Sequence, residues 1–400
     1  MRRIGFDAVR ALHNSTGLGN YGRRVLRGLL GGPAELSGRL YSPAAPRAPY
    51  ATLAAELGAT LRLPPAAWRL AGARSWWRTW RLGRQAAADG VELFHGLSHE
   101  IPRDLPHTGI PSVVSFLDLI WVRHPGLYPP VDRRSYEWRY RWSAEHASAI
   151  VAASRQTGND LRQLYGIAGE RIVVVPPPMD PRFAQPVAAA ARRAALARYA
   201  LPAAFLLSVG TLEPRKNQRS AIAAVAQLDP AQTPPLLLIG RNRGSGAELV
   251  RLAERLGVAG RVLMRDGVRD EDLPALMQSA AVFLYPSLVE GFGLPIVEAL
   301  AAGVPVIASE GGCFAEAGGA ETLYAPATDA TALAGQLRRV LDDAALAERM
   351  RSAGRSHARR FDGAALAARM LAVYDAVLRG GALPGGEASA TQGDYDRCAG

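Results

Sequence analysis

Short apolar runs alternate along this chain with longer segments whose apolar positions recur at helical spacing. In the first half, residues 4–7, 91–95, 112–116 and 149–152 predict strands. Residues 21–30, 133–147 and 154–164 predict helices. The run VVVPPPMDPRF, 173–183, breaks the rhythm, and three stiff prolines suit an interdomain link. A second series then predicts strands at 205–209, 236–239, 261–264, 281–285 and 304–307, with helices at 218–228, 247–256 and 270–278. The class is α/β. Two open parallel sheets facing each other would bring their C-terminal loops to a shared cleft. A last helical segment, 363–378, follows the second series and is expected to pack back on the first. Residues 380–400, rich in glycine and small polar residues, read as a disordered tail.

Length and composition agree with this division. Four hundred residues exceed what one core usually serves. The expected organisation is an N-terminal domain at 1–176, a C-terminal domain at 177–360, a returning helix at 361–379 and a tail at 380–400. Two cysteines far apart, Cys313 and Cys398, give no disulfide framework and no zinc spacing. MRRIGFDAV reads as a charged cap on a strand rather than a signal peptide, and no apolar run reaches transmembrane length. A cytoplasmic location follows as the expectation, at most peripheral on the inner face of the membrane. A net charge of +11 points to anionic partners. No zinc-finger spacing, RNP-like strand or long basic helix supports nucleic acid among them.

Two segments carry chemistry. In EGFGLPIVE, 290–298, a glycine-rich turn follows an apolar run and opens a helix, with Glu290 and Glu298 eight positions apart. Glycines let the backbone approach a ligand, and a helix N-terminus offers free amides to a phosphate. Upstream, VGTLEPRKN, 209–217, presents Arg215 and Lys216 from the end of another strand. Lys216 is the single lysine among 47 basic residues, which suggests a place for a compact ammonium. Together these parts suit a nucleoside-diphosphate sugar: two cations for the diphosphate, Glu298 for a ribose diol, Glu290 for a sugar hydroxyl. From spacing alone, the glutamates serve equally well as helix-capping or surface residues, with the glycines merely turning the chain.

The chain resembles the retaining glycosyltransferases of the GT-B fold, family 4 (group 1), including mannosyltransferase-like members. The resemblance rests on VGTLEPRKN, on YPSLVEGFGLPIVEALAAGVPVIAS at 285–309, on GGCFAEAGGAETLYAP at 311–326, and on STGLGNYGRRVL at 15–26. It implies two Rossmann-like domains across a cleft, with a C-terminal helix crossing back. It assigns Arg215 and Lys216 to the donor diphosphate and Glu298 to the ribose. Glu290 and the amides of Phe292, Gly293 and Leu294 hold the donor sugar and phosphate. Gly17 and Gly19 let a first-domain loop approach the same group.

One departure from the family stands in SFLDLIW, 115–121, where Leu117 occupies the place of a frequent histidine before Asp118. His95 and His99, at the end of the preceding strand, are candidates to replace its sugar contact; ordinary loop histidines are the alternative. Asp118 suits an acceptor-side or loop-shaping role, or a turn aspartate bonded to nearby amides.

The implied reaction is transfer of a hexose with retention. Arg215, Lys216 and helix amides would stabilise the departing diphosphate, and a phosphate oxygen would take the acceptor proton. With no Asp-x-Asp at a strand end, no metal and no separate cofactor are expected. GDP-mannose is the first expected donor and an envelope-glycan or lipid-linked saccharide the acceptor. UDP-glucose, dTDP-rhamnose and a nucleotide-sugar 2-epimerase are the alternatives.

Residues 62–84 hold four of the seven tryptophans and six arginines with no acid. Helical spacing from Leu70 groups Arg74, Arg78 and Arg81 on one face and Ala73, Trp76 and Trp80 on the other. Residues 68–81 therefore suit an anionic membrane surface, or the tryptophans pack on the first sheet and the arginines face solvent. YEWRYRW, 136–142, adds aromatic and basic side chains for stacking on acceptor sugars or for packing.

Overall fold

The computed structural model describes residues 2–32, 36–68, 70 and 72–385. The chain divides into two compact units. The first runs to Pro178 and resumes at Ala364; the second is Met179–Gly363. The passage between them falls at the triple proline.

The first unit is built on seven parallel strands: β1 (Arg2–Asp7), β2 (Leu36–Tyr41), β3 (Thr60–Arg62), β4 (Leu93–Gly96), β5 (Ser112–Phe116), β6 (Ala149–Ala152) and β7 (Ile172–Val174). Their order is β3-β2-β1-β4-β5-β6-β7. The inner strands are apolar on both faces, as a sheet covered by helices on both sides requires. β4, β5 and β6 are buried at every position. Chain order reverses between β1 and β4, which pair with Ile4 opposite Leu93 and Asp7 opposite Gly96. Such a reversal opens a crevice at the carboxyl ends of the strands.

The second unit repeats the plan with β8 (Phe205–Val209), β9 (Leu236–Ile239), β10 (Val262–Arg265), β11 (Ala280–Tyr285), β12 (Val306–Ser309) and β13 (Leu323–Ala325). The order β10-β9-β8-β11-β12-β13 places its reversal between β8 and β11. The two chemistry-bearing segments follow these two neighbouring strands. Both units are therefore Rossmann-like, and the α/β architecture with two parallel sheets is the one expected of the GT-B fold.

The last helix, Gly363–Arg379, belongs to the first unit from Ala364 onward. Its inner face, Leu366, Met370, Val373 and Tyr374, is buried. Arg369 donates to the carbonyl of Val174 (2.7 Å), and Asp375 pairs with Arg2 of β1. The helix thus crosses back, as expected.

Several elements differ from the sequence expectation. The helix expected over 133–147 begins at Pro130 and contains a π-helical turn, Glu137–Arg141, before resuming as Trp142–His146. β2, β3, β7 and β13 were not anticipated: three of the four are only three residues long, and β2 carries a glycine and an arginine. Most of the tail expected at 380–400 lies outside the described residues. No described helix is long and apolar enough to cross a membrane.

Candidate functional site

The site of the second unit is assembled where β8 and β11 diverge. After β8 the chain makes a single 3-10 turn, Pro214–Lys216, and enters the helix Gln218–Val225 through Asn217, whose φ of 52° is left-handed. Asparagine tolerates that conformation better than most residues. Its side-chain amide donates to the carbonyls of Pro286 (2.9 Å) and Ala327 (2.6 Å), clamping the turn to the end of β11. The amide of Leu288 donates to the Arg215 carbonyl (2.9 Å), tying the loop after β11 to the same turn.

These clamps bring Arg215, Lys216 and Glu290 together. Arg215 Nη1 donates to Glu290 Oε2 (2.6 Å) and to the Val289 carbonyl (3.0 Å), while Nη2 reaches Glu213 Oε1 (2.7 Å). Lys216 Nζ donates to Glu290 Oε1 (2.7 Å) and to the hydroxyl of Tyr285 (2.9 Å). Burial opposes ionisation of Glu290, but Lys216 and Arg215 outweigh it and hold the carboxyl at about 2. Burial pushes Lys216 below the ordinary lysine range, with Glu290 working against that shift and Arg215 adding to it. Burial together with the Glu290 charge holds the Tyr285 phenol well above its usual range, so it stays neutral. Two cations thus face two carboxylates, Glu213 and Glu290. An ionised Glu290 tied to cations has no proton to give and does not suit the general acid of a glycosidase.

The turn after Glu290 leads into the helix Leu294–Ala301 through Gly293, whose φ is 110°. A β-carbon there would be strained and would crowd Ile296. Phe292 is buried against Phe361 (ring centroids 5.4 Å apart) and anchors the turn. The amides that open the helix have no side-chain cap, the arrangement that serves an anion. Glu298 lies one turn further on and is half-buried. The thiol of Cys313 donates to the Glu290 carbonyl (3.3 Å) and fixes the segment from the other side.

Gly17, Gly19, His95, His99 and Asp118 belong to the first unit. Gly17 opens the helix Gly17–Leu30, and a β-carbon there would meet open space. At Gly19 a β-carbon would sit 1.8 Å from the Asn14 carbonyl oxygen, so this glycine is demanded by local packing.

His95 is fully buried. Its Nδ1 meets the Tyr374 hydroxyl (2.6 Å) and its Nε2 the Ser115 hydroxyl (2.8 Å), which also bonds Tyr21 (2.8 Å). Burial drives its pKa to about 3, so the ring is neutral. His99 is buried too. Its Nε2 accepts the amide of Leu117 (3.1 Å), and its ring stacks on Tyr140 (4.9 Å). These histidines brace the strand ends from inside; the sequence offered them either as candidates for a sugar contact or as ordinary loop histidines. Asp118 is half-exposed, and its Oδ1 accepts the Ile120 amide (3.1 Å), the geometry of a turn aspartate.

Sequence reasoning missed Tyr285, Asn217 and Glu213. Tyr285 had a signal: an aromatic residue before a proline at the very end of a core strand. Asn217, directly after the Arg-Lys pair and before a helix, had another. Among the described residues no cluster of three or more histidine, cysteine or carboxylate side chains could hold a metal.

Comparison with known proteins bears on this geometry. The family model described as "Glycosyl transferases group 1" matches residues 199–357, and that described as "Glycosyltransferase Family 4" matches 36–183. The chain is 31% identical over 280 residues to the O-antigen chain mannosyltransferase B of Escherichia coli, covering 67% of this chain and 70% of the relative. It is 34% identical over 242 residues to a D-inositol 3-phosphate glycosyltransferase of Segniliparus rotundus, covering 58% of this chain and 53% of the relative, about half its length. Among solved structures, Anabaena Alr3699/HepE in complex with UDP-glucose matches with a TM-score of 0.71 at 18% identity, over 94% of this chain and 100% of that one.

Proposed function

The chain belongs to the group 1, family 4 glycosyltransferases, and from that premise we propose that it moves a hexose, with retention, from a nucleoside-diphosphate sugar to a saccharide acceptor. One observation carries the reading: Arg215 and Lys216 after β8 and Glu290 after β11 converge at the strand-order reversal of the second sheet. Two cations and the uncapped amides of Phe292, Gly293 and Leu294 suit a diphosphate leaving group, whose charge grows as the glycosidic bond breaks. Glu298 is assigned to the ribose and Glu290 to the sugar. A phosphate oxygen takes the proton of the attacking hydroxyl on the face from which the diphosphate departs. We assign the donor to the second unit and the acceptor to the first, with Asp118 on the acceptor side. Arg215 and Lys216 supply the charge that a divalent cation would otherwise bring, so no metal is required.

The donor's base and sugar are a finer matter. Nothing among Arg215, Lys216, Glu290 and Glu298 reads a base. We place UDP-glucose ahead of GDP-mannose, because a solved neighbour of the same fold carries UDP-glucose. GDP-mannose is the second reading, supported by the relative named as an O-antigen chain mannosyltransferase. The acceptor proposed is an envelope glycan or lipid-linked saccharide.

A panel of sugar nucleotides with the isolated protein tests this. Release of nucleoside diphosphate from one donor is expected, at least about tenfold slower in Lys216→Ala. Isomerised free sugar nucleotide without release, or no consumption of any donor, would overturn the reading.

A further inference from the structure

We infer that the first unit selects a saccharide carrying an oxyanion, a carboxylate or a phosphate, and binds that group through Arg10; that the saccharide is the acceptor rests on the transfer reaction proposed above. The place is the carboxyl edge of the first sheet, where chain order reverses between β1 and β4. Arg10 stands there on the short helix Val9–His13, which follows β1 directly.

Two carboxylates occupy this edge, and both are already matched. Arg78, from the helix Ala73–Trp80, turns inward to Asp7 (2.7 Å) and Glu100 (2.5 Å). This corrects the expectation that Arg78 joins Arg74 and Arg81 on a solvent face. Arg139 of the π-helical turn takes the other oxygen of Glu100 (2.8 Å). Asp7 also accepts the Val9 amide (3.3 Å), which fixes the entry into the helix of Arg10. Arg10 is thus a third cation beside two anions. It is half-buried, and among the described residues no hydrogen bond or ion pair engages its guanidinium. Its charge nonetheless acts here: burial opposes ionisation of Glu100, and Arg78, Arg139 and Arg10 together hold the carboxyl below its usual range.

Tyr140 adds a second unspent donor. Its ring stacks on His99 (4.9 Å) and on Tyr136 (5.1 Å). Burial, with the Glu100 charge adding to it, pushes the phenol up to about 12 against Arg139 and Arg10, so the hydroxyl keeps its proton. Among the described residues that hydroxyl donates to nothing. His99 turns the chain toward Glu100 with a φ of 61°, left-handed and uncommon for a side-chain-bearing residue, its amide held by the Ser115 carbonyl (2.8 Å). Backbone strain and π-helical turns recur at ligand sites, and this edge has both. Asp118 is spent on the Ile120 amide and forms no ion pair with Arg10.

Charge selects the ligand. A guanidinium drawn halfway out of water without a counterion gains most from an oxyanion, and its planar fork fits carboxylate and phosphate alike. A neutral saccharide leaves the third cation unmatched.

Methyl α-glucoside, methyl α-glucuronide and glucose 6-phosphate serve as probes, titrated into the full chain without sugar nucleotide and followed by ligand-observed NMR. At least one charged sugar should bind about tenfold or more tighter than the neutral one, less so as salt rises; the tighter of the two names the oxyanion. Arg10→Gln should remove the preference and Arg10→Lys restore part of it, both at the thermal midpoint of wild type. Tyr140→Phe should weaken the charged probes roughly fivefold. Wild type without a preference for the charged sugars would overturn the proposal. So would a preference that survives in folded Arg10→Gln, or a lowered midpoint of that variant with unchanged affinities. Inorganic phosphate binding as tightly as glucose 6-phosphate would leave an adventitious ion only, and would overturn it too. A charge preference in a protein that consumes no donor would strike the transferase reading while leaving the anionic-saccharide site in place.

Discussion

Lys216 Nζ lies 2.7 Å from Glu290 Oε1, and the other oxygen of that carboxylate is held by Arg215 at 2.6 Å. With Glu213 on the far side of Arg215, the charges of this cluster already balance. An arriving diphosphate therefore competes with Glu290 for the same two cations. On the proposed reading, Glu290 is released toward the sugar as the phosphates take its place.

Glu290→Gln should separate binding from turnover. Without the internal anion, the two cations meet a nucleoside diphosphate with no competitor, so its affinity should hold or rise while turnover falls steeply. The empty protein should be less stable, by roughly 3–5 kcal/mol as for other broken buried ion pairs. Nucleoside diphosphate should raise the thermal midpoint of the variant more than that of wild type. Calorimetry and steady-state rates decide it; unchanged turnover sinks the assignment.

Arg215→Ala and Lys216→Ala should each lose roughly 1.5–3 kcal/mol of transition-state stabilisation, the worth of a charge-assisted hydrogen bond. That is a fall of about tenfold to a hundredfold in kcat/KM. Glu298→Gln should mainly weaken nucleotide binding. Folded variants with wild-type kinetics would place the diphosphate elsewhere.

The depressed pKa of Glu290 makes stability depend on acid. A carboxyl at about 2 in the fold, against 4.5 unpaired, contributes fully above about 4.5, and the contribution is lost as pH falls toward 2. Urea midpoints of wild type and Glu290→Gln should therefore converge across that window. A gap independent of pH would show that the pair is not the cause.

Activity should survive excess EDTA, since Arg215, Lys216 and helix amides meet the phosphate charge. Loss of activity restored by Mg²⁺ or Mn²⁺ would reject this account. The product anomer, read by NMR, should match the donor.

The site was legible where chemistry lies close to a strand end in sequence. Arg215, Lys216 and Glu290 each follow a core strand directly, and their convergence needs only that β8 and β11 be neighbours. What was illegible depends on residues far along the chain. The internal bonding of His95 could not be read because its partner, Tyr374, is 279 positions away. Arg78 looks like a surface arginine because Asp7 and Glu100 are invisible from its helix. The π-helical turn was lost to a helix period that runs straight through it. The helices Ala330–Asp342 and Ala344–Ala358 had readable caps, Asp329 and Asp343, each accepting from backbone amides.

His95→Ala should cost stability through a cavity and stranded hydroxyls on Tyr374 and Ser115. Tyr374→Phe should cost about 1 kcal/mol by removing one buried hydrogen bond. With the ring neutral from about 3 upward, neither change should alter the shape of the pH–rate profile between 5 and 8. A lost limb there would return His95 to the chemistry.

The bond between His95 and Tyr374 also sets an order of events on the ribosome. Every strand of the first sheet has been synthesised by Val174, yet the helix that carries Tyr374, the partner of His95, comes only after the whole second unit has emerged. The domain translated first is therefore completed last. Until the final stretch leaves the exit tunnel, the nascent chain carries an unfinished apolar face, and a premature stop anywhere before Tyr374 damages the half of the protein that was made earliest.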